Sequence, residues 1–270
     1  MPFISGYTFA VALPDICDDG MTFITGYTGF GGTQANSVRA CVPGYFTGFL
    51  IMKLFGKQYS LVVHKCPSWK KAYKRLIKNQ YSYLHSTGWL RSLEESQPVD
   101  ETGRPVPWMN YTVVEILRDR LTSDMRLFEY GSGYSTIFYA DRVESVVSIE
   151  YDEEWFDLVR SQAPGNVDVV FCSKDIDGDY CRSIHRGRTP FDVVVVDGRD
   201  RVNCVKQSLP ALSDRGVLLL DDSQRERYAE AIDFARDNGF KTLDIAGLKP
   251  GSCFCEQTTI LYRPGNCFDI

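Results

Sequence analysis

Leu127-Phe128-Glu129-Tyr130-Gly131-Ser132-Gly133-Tyr134-Ser135-Thr136 decides how the rest of the chain folds. Its apolar start predicts a strand, the two glycines a tight turn, and Ser135-Thr136 the opening of a helix. Such a turn presents free N–H groups and bare backbone to a nucleotide, because a side chain at either glycine would hold the main chain away from it. Val146-Val147-Ser148-Ile149-Glu150 follows as a second apolar run ending in a carboxylate. It lies about 20 residues on, the spacing at which an acid can hold both ribose hydroxyls.

Outward from this pair the pattern is regular. Strand-like runs fall at 126–130, 146–150, 167–172, 191–197, 217–222, 240–245 and 258–263. Helical stretches at 135–140, 152–161, 202–212 and 226–238 lie between most of them, and Asn110 is placed to cap a further helix over 111–121. Val193-Val194-Val195-Val196 and Val217-Leu218-Leu219-Leu220 do not alternate, as expected of strands covered on both faces. The expected fold class is therefore α/β, a mainly parallel sheet with helices on both faces. The last two runs have no helix between them, which predicts an antiparallel final hairpin. Five strands end in or beside an acid, namely Glu129, Glu150, Asp175, Asp197 and Asp221-Asp222. In an open α/β sheet these ends face one crevice.

The first part of the chain differs in charge. Residues 1–106 carry 11 Lys and Arg against 7 Asp and Glu, and no acid lies between Asp19 and Glu94, although the whole chain has a net charge of −5. Trp69, Ala72, Tyr73, Leu76 and Ile77 recur at helical spacing among Lys70, Lys71, Lys74, Arg75 and Lys78, a basic amphipathic helix. An ordinary helix with a solvated face is the preferred reading, and peripheral contact with an anionic membrane surface or a phosphorylated substrate is the alternative. The apolar stretch 45–55 is too short to span a bilayer and is expected in a core. Thr25-Gly26-Tyr27-Thr28-Gly29-Phe30-Gly31-Gly32 matches the glycine turn of short-chain dehydrogenases, yet none of the fifteen tyrosines is followed by lysine at the Tyr-x-x-x-Lys spacing. A structural glycine-rich loop is the preferred reading. The polar stretch 94–106, with Pro98, Gly103 and Pro105, predicts a linker between an N-terminal extension, 1–93, and a main domain, 107–270.

No run reaches the roughly 18 apolar residues of a membrane span, and the first residues lack the basic region of a secretory signal, so a soluble cytoplasmic protein is expected. The nine scattered cysteines, without a C-x-x-C pair, fit free thiols in a reducing compartment.

Phe128–Thr136, Ser148-Ile149-Glu150, Val195-Val196-Asp197-Gly198 and Gly216-Val217-Leu218-Leu219-Leu220-Asp221-Asp222 together resemble the class I S-adenosylmethionine-dependent methyltransferases over about residues 108–263. The resemblance implies a seven-stranded Rossmann-like methyltransferase sheet with a reversed final strand, and S-adenosyl-L-methionine as cofactor. It places Glu129, Tyr130, Gly131, Ser132, Gly133, Ser135 and Thr136 around the methionine part, Glu150 on the ribose and Asp175 at the adenine edge. Asp197 faces the methionine or the acceptor and is the first candidate for a catalytic base; His185 is the second. Ser135 and Thr136 stand where a dinucleotide fold wants its third glycine, which favours the methyl donor over NAD(P). In catechol-type relatives acids comparable to Asp197, Asp221 and Asp222 hold a metal; here Asp222 replaces the asparagine of that pattern, and no metal ligand is assigned. The expected partner is a small-molecule or saccharide acceptor, methylated on a hydroxyl, and no nucleic acid. The alternatives are an NAD(P)-binding oxidoreductase-like protein and a non-catalytic, membrane-peripheral binding protein built on a relic of this fold.

Overall fold

A computed structural model describes residues 11–12, 22–26, 46–54, 57–65, 69–186 and 190–270, the backbone alone up to residue 69. The chain divides into two units, Met1–Ser82 and Tyr83–Ile270. In the first, β1 (Val11–Ala12), β2 (Thr22–Gly26), β3 (Phe46–Leu54) and β4 (Lys57–Lys65) form a sheet of order β1-β2-β4-β3. Every neighbouring pair is antiparallel. A dinucleotide turn after β2 would need a parallel crossover to the strand it pairs with, so the antiparallel β2–β4 ladder excludes that use of the Gly26–Gly32 stretch. Residues 27–32 themselves lie outside the described residues. Helix α1 (Trp69–Leu76) forms where the periodicity predicts it, with Lys70, Lys71, Lys74 and Arg75 exposed.

The second unit begins earlier than the sequence suggests. It opens with α2 (Tyr83–Ser86) and α3 (Trp89–Glu95), and the stretch 94–106 is clasped to α3 instead of linking two bodies. Ser92 Oγ donates to the Val99 carbonyl at 2.8 Å and accepts from the Val99 N–H at 3.1 Å. Val99 bridges Pro105, and the Asp100 carboxylate accepts from the N–H groups of Thr102 and Arg104. The prolines and polar residues that predict a linker instead make a self-bonded loop with Val99 and Val106 buried. Burial by distant partners leaves no trace in local composition.

Next come α4 (Tyr111–Arg120), β5 (Arg126–Tyr130), α5 (Tyr134–Ala140), β6 (Ser145–Glu150), α6 (Glu153–Gln162) and β7 (Val167–Phe171). They are followed by α7 (Asp179–Arg182), β8 (Phe191–Val196), α8 (Arg201–Ser208), β9 (Leu212–Leu220), α9 (Ala229–Asp237), β10 (Lys241–Leu248) and β11 (Cys255–Tyr262). Strand β9 starts five residues before the apolar run that predicts it, and α7 carries no apolar periodicity. Asn110 caps α4 by accepting from the Val113 N–H, and its amide donates across the molecule to the Ile245 carbonyl at 3.0 Å and Thr258 Oγ1 at 3.3 Å.

The sheet order is β10-β11-β9-β8-β5-β6-β7. The pairs β9–β8, β8–β5, β5–β6 and β6–β7 are parallel, while β11 runs antiparallel to both β9 and β10. This is the Rossmann-like methyltransferase sheet, reversed strand included. Successive residues of the central strands enter opposite cores. Phe128, Tyr130, Val194, Val196, Leu218 and Leu220 pack on one face with Tyr180, Val205 and Ala231. Leu127, Val193, Val195, Val217 and Leu219 pack on the other with Val113, Leu117 and Phe138. Two-sided burial is why these strands do not alternate. The chain leaves β5 towards β6 and β7, then returns to β8 beside β5, so the switch point lies between the carboxyl ends of β5 and β8. Among the described residues no helix is long and apolar enough to cross a membrane.

Candidate functional site

A cleft of about 1100 Å³ opens at that switch point. Its floor is the turn after β5, where Gly131 adopts φ +96°, a conformation that L side chains rarely take. A Cβ there would stand 3.0 Å from both Cα and N of Gly198, the residue that follows β8 and Asp197. Gly198 in turn lies under the Tyr180 hydroxyl, which a Cβ would meet at 2.0 Å. The two turns therefore touch backbone to backbone, which requires a glycine on each side. Gly133 is different: its φ of 173° is extended, and a Cβ would find ordinary contact with Trp155, so space for a cleft occupant is the only demand left at that position.

The N–H groups of this turn are already used inside the protein. Gly131 donates to the Ile149 carbonyl at 2.8 Å, Ser132 to Glu150 Oε2 at 2.9 Å, and Gly133 to Thr136 Oγ1 at 2.9 Å. Glu150 also accepts at Oε1 from the N–H groups of Tyr151 (2.8 Å) and Asp152 (2.9 Å). Three backbone donors hold the carboxylate at the edge of the cleft. Burial pushes its pKa up, and the three N–H donors oppose that shift. Asp152 caps α6 through the Trp155 N–H, and Trp155 Nε1 reaches back to the Ser132 carbonyl at 2.7 Å, forming one wall. Ser96, Gln97, Pro98 and Trp108 supply another.

Of the residues singled out in the sequence, Gly131, Ser132, Gly133, Ser135, Glu150 and Asp197 line the cleft. Four do not. The Tyr130 side chain is fully buried on the opposite face and donates to the Cys181 carbonyl, as the strand's alternation requires. Asp175 is exposed and caps α7, accepting from the N–H groups of Asp179 and Tyr180, instead of meeting an adenine. Glu129 is buried beneath α5 and receives the hydroxyls of Ser135, Thr136 (2.6 Å) and Ser148 (2.7 Å). Thr136 is spent in that same cluster. His185 lies exposed against Gln207, away from the cleft lining.

Glu129 thus ties the glycine turn's helix to β6. Burial raises its pKa from 4.5 to about 7, the three hydroxyl donors pulling the other way. A carboxyl raised on folding contributes stability that is complete below its unfolded pKa and is lost as pH climbs through the folded value. The thermal midpoint should accordingly fall between pH 5 and 8, by an amount corresponding to roughly 3 kcal/mol. Glu129→Gln, which carries no titrating proton, should flatten that fall; equal pH slopes for the two proteins would refute the assignment.

Asp197 sits where β8 ends, and the structure adds an unexpected partner, Arg201. Its guanidinium donates to the carbonyls of Gly198 (3.0 Å), Asp197 (2.7 Å) and Asp221 (2.6 Å). It also pairs with the carboxylates of Asp197 at 2.8 Å and Asp222 at 3.4 Å. Burial, then the Asp221 carboxylate, push the Asp197 carboxyl up, and Arg201 opposes them. Asp222 is buried with φ +53° and has its pKa lowered, Lys249 and the two arginines outweighing its burial. Lys249 Nζ lies 2.7 Å from Asp221 Oδ2 and 2.7 Å from Asp222 Oδ1. Arg201, Lys249, Trp155 and Trp108 carry no signal in the sequence that would single them out. Only Tyr151, directly after Glu150, is marked by its place.

No family model matches the chain, and no curated protein matches it in sequence. Solved structures do resemble it in fold. A methyltransferase-like protein from Silicibacter pomeroyi shares 25% identity at a TM-score of 0.43, over 60% of this chain and 91% of that one. Precorrin 8w decarboxylase from Methanobacterium thermoautotrophicum shares 19% at 0.44, over 63% and 97%. Magnesium protoporphyrin IX methyltransferase from Synechocystis, solved with bound S-adenosylmethionine, shares 16% at 0.41, over 57% and 77%.

Proposed function

We propose that the chain is an S-adenosyl-L-methionine-dependent methyltransferase whose acceptor is a small hydroxylated molecule, saccharides included. The observation that carries this is the donor set of the cleft floor. In a dinucleotide site the N–H groups of the glycine turn face a pyrophosphate; here Gly131, Ser132 and Gly133 all donate to partners within the protein, and Glu150 stands at the edge. Such a floor suits a nucleoside without phosphates. The carboxylates of Glu150, Asp152 and Asp197 around it suit a cofactor bearing an ammonium and a sulfonium.

Glu150 would hold the ribose hydroxyls, Tyr151 would lie against the base, and the Gly131–Gly133 turn would pass beneath the methionine part. Bound there, the sulfonium supplies an activated methyl group, and the protein's task is to orient the acceptor and exclude water. Asp197 is assigned to receive the acceptor's proton. Its Oδ1 is held by Arg201, while its other oxygen has no donor among the described residues. The aromatic rings of Trp108, Tyr134, Tyr151 and Trp155 offer flat apolar surface beside those carboxylates, a combination that fits a polyhydroxylated ring. Five acids line the cleft against three arginines, and Arg201 and Arg225 are already paired, which disfavours a phosphate-rich polymer.

Calorimetric titration with S-adenosylhomocysteine should give one site of micromolar affinity, and NAD should give no heat. Binding of NAD in preference would overturn the cofactor assignment.

A further inference from the structure

The acids that end β8 and β9 form a cluster whose oxygens lie within 4.8 Å of one another, Asp197, Asp221 and Asp222, an arrangement able to hold a divalent cation. We infer that this cluster is closed to metal because Lys249 occupies it: the chain supplies its own fixed cation between Asp221 and Asp222.

The geometry is specific. Lys249 follows directly on β10 and is 5% exposed. Its Nζ bridges Asp221 Oδ2 and Asp222 Oδ1, both at 2.7 Å, with Glu256 Oε2 at 3.8 Å as a more distant third partner. Asp221 Oδ1 accepts from Thr258 Oγ1 at 2.7 Å, and Asp222 Oδ2 is taken by Arg225 at 2.7 Å and Arg201 at 3.4 Å. All four oxygens of Asp221 and Asp222 therefore have donors. A divalent cation would need those oxygens at about 2.0–2.6 Å, inside the space of the ammonium that bridges them. Two like charges at that separation would have to share one pair of carboxylates. The place of Lys249 is itself fixed, since the loop it begins is tied to α3 by Trp89 Nε1 donating to the Ser252 carbonyl at 2.7 Å.

Two consequences follow. Asp222, in its left-handed conformation, is held by three cationic side chains, so Lys249 acts as a positioning residue for the carboxylates beside Asp197. An acceptor here engages single hydroxyls through Asp197, and a vicinal pair chelated by a metal is excluded. The metal exclusion itself holds whether or not the protein transfers methyl groups.

Manganese titration followed by the loss of the free-ion electron paramagnetic resonance signal tests this on the full chain. Wild type should bind no Mn²⁺ at this cluster, whereas Lys249→Ala should gain one site at least about tenfold tighter than any in wild type, lost again when Asp221→Asn is added. If Lys249→Ala does not fold in metal-free buffer, folding becomes the readout: 1 mM MnCl₂ (on the order of the weak-site range) should restore it where NaCl of equal ionic strength does not. A wild-type site abolished by Asp221→Asn overturns the inference, as does a Lys249→Ala protein that takes up no more Mn²⁺ than wild type, or one that Mn²⁺ fails to refold.

Discussion

Gly131→Val should abolish binding of S-adenosylhomocysteine in calorimetric titration, with a loss of at least about a hundredfold in affinity. Two independent penalties act at the same atom. At φ +96° a β-branched residue is strained by at least roughly 1–3 kcal/mol. Its Cβ would also stand 3.0 Å from the Gly198 backbone and 3.2 Å from the Asp197 carbonyl carbon, so the turns after β5 and β8 must part. Parting them moves Ser132 and its bond to Glu150, which is how a change in the floor reaches the proposed ribose site. Gly131→Ala meets the same backbone with less bulk and should fall between the two. Wild-type affinity in Gly131→Val would show that the cofactor lies elsewhere.

Glu150→Ala should weaken the same titration by about a hundredfold, through two losses. The carboxylate's bonds to the ligand disappear, and the N–H groups of Ser132, Tyr151 and Asp152 lose their acceptor. Glu150→Gln, which keeps one carbonyl oxygen, should lose about tenfold. The charged form makes the stronger bonds, and burial raises the pKa, so wild-type affinity should decline on acidification at a higher pH than for an ordinary glutamate. A Glu150→Ala protein that melts like wild type and binds S-adenosylhomocysteine equally well would remove Glu150 from the site.

The parts of this fold legible in the sequence are those set by neighbours along the chain. The runs around Val193 and Val217 announce strands covered twice, the glycines at 131 and 198 mark the turns that meet, and the missing helper helix after residue 245 announces the reversed hairpin. Glu150 is legible because strand, turn and acid follow at a fixed interval. Glu129 and Tyr130 are misplaced for the opposite reason: motif position says nothing of which face a strand residue takes, and alternation sends one under α5 and the other against Tyr180 of α7. Asp175 is drawn away by the N–H groups of a helix too short to show a period. Lys249 and Arg201 are invisible because their partners are separated from them by up to 28 residues and differ in nothing from surface acids until the sheet assembles.

Asn110 sets an order of events in folding. The helix it caps begins the main sheet's cover early in the chain, yet its side-chain amide is fastened to Ile245 and Thr258, 135 and 148 residues later. On a ribosome, the Asn110 amide must therefore wait for the closing hairpin to emerge, although the apolar face of α4 can pack on β5 and β8 before then. Trp89 waits likewise for Ser252, 163 residues on. The wall of the cleft that carries Ser96, Pro98 and Trp108 lies between these two late fastenings. The floor of the cleft can be complete while the chamber above it is still open, so a refolding experiment should recover protection of the β5 and β8 amides before the fluorescence of Trp89 and Trp108 reaches its native value.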